Sequence, residues 1–461
     1  MKLSTLFLAA VAFVPSVFGQ LGYKDYDNDF LDPAYVLGKN FNSSTAAAQQ
    51  SIVQWADFLA AQGPWAVTNK TVAAPTGNPH DYLSWAPYYW PNCTGLGNTT
   101  ELTPQQVWVQ CTYYDRDGMF NPDRLLVNNT GDFQAMSDAV FYNTLAWVLT
   151  GQSNYSANAA NYIDTWFINP ATAQTPNLQY SQLHRGPTGQ IGDHTGLLDF
   201  KQMAKLTSAV LVLRQAKSPD WTDTLDTQMN NWTTNYLEWM TTSPIAKGEW
   251  ESPNNHGSYF YGQMASLQIL VGNTTAATNT IKQYFSKQWM AQITSTGEQP
   301  FESIRTHPYH YRCYNLAAMV VNAKIATYLG MNYWNATTTQ GATIQTALDF
   351  TMGVTLNATD GDGPIWELYP SMVAVGATYG DPEGKYASFL AQANSNYPEE
   401  PYFFFNQNFT DSGLAAATPT ASSGSPGSTT GARQNGAIAG LTTNWLVATM
   451  AVSLLCGTLI V

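Results

Sequence analysis

Two short polar segments of this chain carry side chains that could do chemistry together. They are Pro253-Asn254-Asn255-His256-Gly257-Ser258-Tyr259 and Glu302-Ser303-Ile304-Arg305-Thr306-His307-Pro308-Tyr309-His310-Tyr311. Between them they supply an amide, an imidazole, a guanidinium and a phenol. That set can neutralise a carboxylate, take a weakly acidic proton and protonate a leaving oxygen. The chemistry it implies is elimination from a uronic acid sugar. No cofactor is needed for it, and with six histidines and scattered aspartates no metal-ligand spacing stands out. An Asp360-Gly361-Asp362 turn is the one candidate for a structural ion, and it is too short for a calcium loop.

The elements that must hold these groups are helical. Thr45 to Ala61 places Ile52, Trp55, Phe58 and Leu59 on one face. The same period predicts helices over Asp132–Leu149, Ala157–Phe167, Gly196–Arg214, Thr222–Met240, His256–Leu270, Thr275–Ile293, Arg312–Leu329, Thr343–Thr351 and Pro382–Ala393. So many successive helices with few strand signals predict an all-α fold, an incomplete (α/α) toroid of stacked helical hairpins. The stretch after Gly361 is less regular and is read as strands or a lid.

His256 lies one turn before the apolar stripe Phe260, Met264, Leu267 and Val271, at a helix N-terminus where free amides favour an anion. Asn255 can cap that helix or donate to a carboxylate, and Gly257 permits a close approach. The plainer reading makes Asn254 and Asn255 caps and His256 a core residue. In the second segment a Pro-containing turn is expected to hold Arg305 and Tyr311 at the mouth of the helix that begins near Arg312. The plainer reading there packs Tyr309 and Tyr311 into the core and pairs Arg305 with Glu302.

Three further groups are candidate sugar contacts. The aromatic run from His80 to Pro91 has no helical period, so His80, Tyr82, Trp85, Tyr88 and Trp90 line either an ordered loop over a cleft or a packed aromatic arm, with Asp81 orienting His80. His184, Arg185 and His194 form a second set. Tyr259 and His310, inside the two catalytic segments, complete the list.

Composition bounds the partners. The net charge is -13 and only 11% of residues are charged, which excludes a nucleic-acid-binding surface. An acidic chain can bind an anionic polymer if its few cations are concentrated in the cleft. Lys2, the apolar run Leu6–Val17 and Val17-Phe18-Gly19 form a secretory signal, residues 1–19. The eleven Asn-X-Ser/Thr acceptors agree with that route. Cys93 and Cys111 form the expected disulfide, with Cys313 outside it. A domain over residues 20–410 precedes a Ser/Thr/Gly/Pro-rich stalk, 411–435, and an apolar tail, 436–461, that matches a glycosylphosphatidylinositol attachment signal. Asn435 is the first choice of attachment residue and Gly431 the second, and a short spanning helix is the competing reading of the tail. The expected protein is a monomer, anchored by lipid at the cell surface.

Taken together, the loop His80–Pro91, the Asn-Asn-His-Gly segment and the Arg-Thr-X-Pro-X-His-Tyr segment resemble the alginate lyase domain superfamily of polysaccharide lyases, over about residues 45 to 400. The resemblance implies an (α/α) toroid with a tunnel or cleft, Asn255 and Arg305 neutralising the substrate carboxylate, and His256 and Tyr311 as catalytic pair, with Tyr309 a rival to Tyr311. The end signals look fungal and the superfamily has a glucuronan lyase branch, so mannuronan, alginate and glucuronan are the substrate classes. Two readings from other classes stay open. An inverting glycoside hydrolase would recruit two of Glu251, Glu302 and Asp193, and a wall-binding module would need no chemistry.

Overall fold

The computed structural model describes residues 22–24, 28–96, 101–188, 190–356 and 364–406. The signal segment, the stalk, the apolar tail and the Asp360–Asp362 turn lie outside the described residues. Among the described residues, no helix is long and apolar enough to cross a membrane.

Among the described residues the regular structure is almost wholly helical: α1 (Pro33–Gly38), α2 (Ala46–Ala60), α3 (Pro104–Gln110), α4 (Asn129–Thr150) and α5 (Ser153–Ile163). There follow α6 (Met203–Gln215), α7 (Asp223–Thr242), α8 (Pro244–Trp250), α9 (Asn255–Leu270) and α10 (Thr274–Ser286). The last are α11 (Pro308–Tyr328), α12 (Ile344–Met352), α13 (Tyr369–Tyr379), α14 (Lys385–Ala393) and α15 (Pro401–Phe405). Two four-residue strands, β1 (Tyr89–Asn92) and β2 (Thr112–Asp115), pair antiparallel with Trp90 opposite Tyr114.

Sequence pattern sorts the helices into two layers. In α6 every residue from Met203 to Leu213 is buried, and α9 is buried on nearly all sides. A helix apolar all round belongs inside. In α10 only Ala277, Ile281, Tyr284 and Phe285 are buried, one stripe at helical spacing. Each large side chain of such a stripe contributes about 1.5–3 kcal/mol on burial. The inner helices follow one another, α4 against α6, α6 against α9, α9 against α11 and α11 against α13. Outer helices cover them: α2 and α5 on α4, α7 and α10 on α9, α12 on α11. This is an incomplete (α/α) toroid.

Four local expectations need correction. Gly196–Arg214 is not one helix, because a 3-10 turn over His194–Phe200, capped by Asp193, precedes α6. The helix expected from Arg312 begins four residues earlier, where Pro308 sits at its first turn, the position a missing N–H tolerates. The stretch beyond residue 364 holds α13, α14 and α15 rather than strands. The β1–β2 hairpin was not legible, since four residues with Pro91 at an edge carry too short a pattern. The Cys93–Cys111 disulfide joins the two strands at the loop end of this hairpin, and Cys313 is buried apart from it.

Candidate active site

The N-terminal ends of α9 and α11 and the 3-10 turn before α6 open onto one cleft of about 510 Å³, walled on the other side by the hairpin and its flanking loops. Its lining includes His256, Arg305 and Tyr311, together with Trp85, Tyr88, His184, His194 and His310.

His256 is positioned from α8. The Asn254 side chain caps α9 by accepting from the His256 amide, so Asn254 rather than Asn255 is the cap. Glu249, at the end of α8 and fully buried, takes a hydrogen bond at Nδ1 of His256 (2.7 Å) through one oxygen and at Nδ1 of His194 (2.7 Å) through the other. Donation from Nδ1 to Glu249 leaves Nε2 of His256 for a ligand. The link between α8 and α9 is clamped from the 3-10 turn Gln288–Ala291 and the residue after it, beyond the end of α10. Gln288 donates to the Trp250 carbonyl, and Gln292 donates to those of Pro253 and Asn254. Gly257 is needed because a Cβ there would stand 2.1 Å from the Ser252 carbonyl oxygen. The close approach expected at this glycine is therefore one of backbone to backbone.

Asn255 does not reach the cleft. It is fully buried, and both its backbone N–H (2.8 Å) and its amide (2.7 Å) donate to the carboxylate of Glu302. Its Oδ1 is buried without a partner. Burial pushes the Glu302 carboxyl up, and the two Asn255 hydrogen bonds oppose that shift without cancelling it. Glu302 is thus spent on Asn255, and Arg305 pairs elsewhere.

The partner of Arg305 is Asp117, in the turn after β2 (2.9 Å). Thr306 adds its hydroxyl (2.6 Å) and its amide to the same carboxylate. Gly118, at φ 76, lets the turn press on His307, whose Nε2 is 3.2 Å from the Gly118 carbonyl. Burial alone would raise the Asp117 carboxyl, but the bonds from Arg305 and Thr306 hold it below the usual carboxylate range. Arg305 also donates to the Tyr311 hydroxyl (2.8 Å), its guanidinium carbon 3.8 Å from the ring centroid. The Tyr88 hydroxyl lies 3.1 Å from the same oxygen. Burial pushes the Tyr311 phenol well up, and Tyr88 adds to this, while Arg305 pulls it down. The net direction is upward, opposite to a phenol activated in the resting site. Tyr309 is buried, gives its hydroxyl to the Ile365 carbonyl and does not line the cleft.

The remaining candidates divide. Tyr88, His184, His194 and His310 line the cleft, with His310 on Glu367 (2.9 Å) and the His184 ring stacked on Tyr89. Trp85 borders it at 5% exposure, one face covered by the Arg185 guanidinium and the ring packed against Trp108, so it is no open platform. Arg185 itself is buried and paired with Asp123. Tyr82 is buried with its hydroxyl on Asp199, and Tyr259 is buried with its hydroxyl on the Tyr314 carbonyl. Trp90 lies off the cleft, under Arg116. His80 is held by the Ala173 carbonyl through Nδ1, and Asp81 serves Thr76, Asn78 and Thr175 rather than His80. For Arg185, Tyr82, Tyr259 and His80 an internal polar partner, offered by the fold, takes the group away from the cleft.

The residues missed by sequence reasoning are Glu249, Asp117, Arg124, Lys201 and Tyr314. Glu249 sits in a helix opened by Ser243 and Pro244, and that capping signal was the available clue. His194, Glu249 and His256 bring three ligand-type atoms within 4.8 Å of one another and could hold a metal ion. The hydrolase carboxylates fare poorly: Glu302 is buried on Asn255 and Glu251 lines a different pocket, which leaves Asp193 in the cleft.

Comparison with known proteins gives one family match and several similar structures. The family described as alginate lyase matches residues 66–359. The crystal structure of an alginate lyase from Bacteroides ovatus is 26% identical, with a TM-score of 0.71, over 83% of this chain and 100% of that one. Alginate lyase A1-III from Sphingomonas species A1 is 15% identical, with a TM-score of 0.42, over 78% of this chain and 91% of that one. A search of curated proteins found no match.

Proposed function

We propose, for a chain that belongs to the alginate lyase family and is a polysaccharide lyase, that it cleaves 1,4-linked uronic acid polymers of the mannuronan, alginate or glucuronan type by β-elimination. The observation that carries this reading is the convergence of Arg305, Tyr311 and His256 on one cleft, with Arg305 donating to the phenol oxygen. In the first step the uronate carboxylate takes Arg305 as counter-charge, which permits negative charge to develop at C5. A base then removes the C5 proton, the C–H electrons form the C4–C5 double bond, the C4–O bond breaks, and an acid protonates the leaving oxygen.

Tyr311 fits the acid, because burial keeps its phenol protonated in the resting cleft. Where the C5 hydrogen and the C4 oxygen share a face, as in mannuronate and glucuronate, the same phenol can serve both steps once ionised, its anion stabilised by Arg305. Where they lie on opposite faces, as in guluronate, Nε2 of His256 is the base, its ring held by Glu249. Asn255 enters this scheme through Glu302 rather than by touching the carboxylate. We further propose that the protein is secreted and held at the cell surface by a lipid anchor, acting as a monomer. Its signal-like first residues, its acceptor asparagines and its disulfide support the secretory part.

The test is ultraviolet absorbance over time with glucuronan, polymannuronate and polyguluronate in separate reactions. A rise marks the unsaturated uronate that elimination makes, and the responding polymer names the substrate. New reducing ends without absorbance would replace the lyase by a hydrolase, and binding without either signal would leave a wall-binding module.

A further inference from the structure

The cleft holds a second guanidinium, and unlike Arg305 it has no carboxylate partner among the described residues. Arg124 stands in the 3-10 turn Pro122–Val127 and lines the same cleft. Elsewhere among the described residues Arg185 is paired with Asp123, Arg214 with Asp226, Arg305 with Asp117 and Arg312 with Glu298, while Arg116 lies over the Trp90 ring and does not line the cleft. Asp123, next to Arg124 in the chain, is therefore already engaged. The acid of the cleft that acts on Arg124 is Asp199. Asp199 accepts hydrogen bonds from Tyr82, Ser84, Thr130 and Gln182, so its oxygens are taken up within the protein and none is hydrogen-bonded to Arg124. What holds Arg124 is the Phe120 ring, 4.4 Å from the guanidinium carbon. A half-buried guanidinium without an anion pays a desolvation cost that an arriving carboxylate would recover.

Its position is also specific. Phe120 packs on Tyr88 with ring centroids 5.1 Å apart, and the Tyr88 hydroxyl is 3.1 Å from that of Tyr311. Two aromatic rings, Phe120 and Tyr88, thus connect Arg124 to the proton-transfer site. We propose that Arg124 binds the carboxylate of the uronate next to the one being cleaved, so that the enzyme selects runs of adjacent uronates over chains in which uronates alternate with neutral sugars. This rests on the lyase reading above for the place of cleavage.

The experiment compares wild type, Arg124→Gln and Arg124→Lys on the polymer that wild type cleaves, with thermal melting as the control for folding. Loss of a charge-assisted bond predicts a KM for Arg124→Gln raised about ten- to a hundredfold, with the loss in kcat/KM carried by KM. Arg124→Lys, which keeps the charge without the planar fork, is expected between the two. A folded Arg124→Gln with KM within about twofold of wild type overturns the assignment. So does a loss carried equally by kcat together with a lowered melting point, which would make Arg124 a support for Phe120. If Arg124→Gln does not fold, Arg124→Lys decides, since a wild-type KM would exclude a two-donor contact. If wild type cleaves none of the three polymers, the lyase reading fails, and titration of wild type and Arg124→Gln with polymannuronate still decides whether Arg124 binds uronate.

Discussion

Replacing Gly257 by alanine adds one methyl group beside His256 and tests how the site is held. The new Cβ would lie 2.1 Å from the Ser252 carbonyl oxygen, where ordinary contact begins at 3.4 Å, a shortfall of about 1.3 Å. Ser252 cannot yield cheaply. Its own amide bonds to Glu249, and the carbonyls around it are held by Gln288 and Gln292. The displacement must pass into the α8–α9 link, between the carboxylate of Glu249 and the imidazole it orients. Overpacking of this kind costs about 1–3 kcal/mol, offset by about 1 kcal/mol from the better helix propensity of alanine. The net loss of about 0–2 kcal/mol lowers the melting point by no more than about 4 °C in a domain of this size. Catalysis suffers more, because a misplacement of about 1 Å can cost about 100-fold in rate. Initial rates from the absorbance of unsaturated product, set beside a thermal melt, measure both. A kcat/KM within about threefold of wild type would refute the reasoning that the backbone contact at Gly257 sets the geometry of His256.

Three other outcomes are expected. Tyr311→Phe keeps the ring under Arg305 and removes the acid, so kcat should fall by about 10²–10⁴ with polymer affinity retained; a rate near wild type would remove Tyr311 from the mechanism. The Glu249 hydrogen bond raises the His194 imidazole above its ordinary value against the opposing effect of burial. Proton binding then favours the folded state, so this contribution is fully present below about pH 6.5 and is lost as pH rises through the raised value. The melting-point advantage of wild type over His194→Asn should therefore shrink from pH 6 to pH 9, and an advantage that grows over that range would contradict the assignment. Removing the Cys93–Cys111 disulfide, which spans 18 residues, should cost about 3 kcal/mol. The layer carrying Tyr88, Asp117 and Arg124 should loosen with it, raising KM more than it lowers kcat, and unchanged melting and KM would show that the hairpin stands without it.

The helices were legible because an apolar stripe at a period of 3.6 is a local property. Ala46–Ala60 and Asp223–Thr242 differ from the expected spans by a residue or two at each end. The toroid followed from their number and succession. The two chemical segments were legible as clusters of unlike polar groups, and the structure brings His256, Arg305 and Tyr311 from them into one cleft. Residue type alone could not say which polar groups would be spent internally. Asn255 was expected at a substrate carboxylate and finds a protein one, Glu302, 47 positions away. Arg185 finds Asp123, Tyr82 finds Asp199, and His80 finds a backbone carbonyl.

Such pairings depend on which chain segments meet, and that is a non-local outcome. Glu249 shows the converse: seven residues before His256, across a break in the helix, it has no periodic relation to the imidazole that it orients. By itself the sequence determined the layers of helix and the chemical repertoire, since both rest on residue type and short-range spacing. Only the tertiary structure decided which of those groups face the cleft, because a buried donor or acceptor must find a partner, and each one found inside the protein is withdrawn from the substrate.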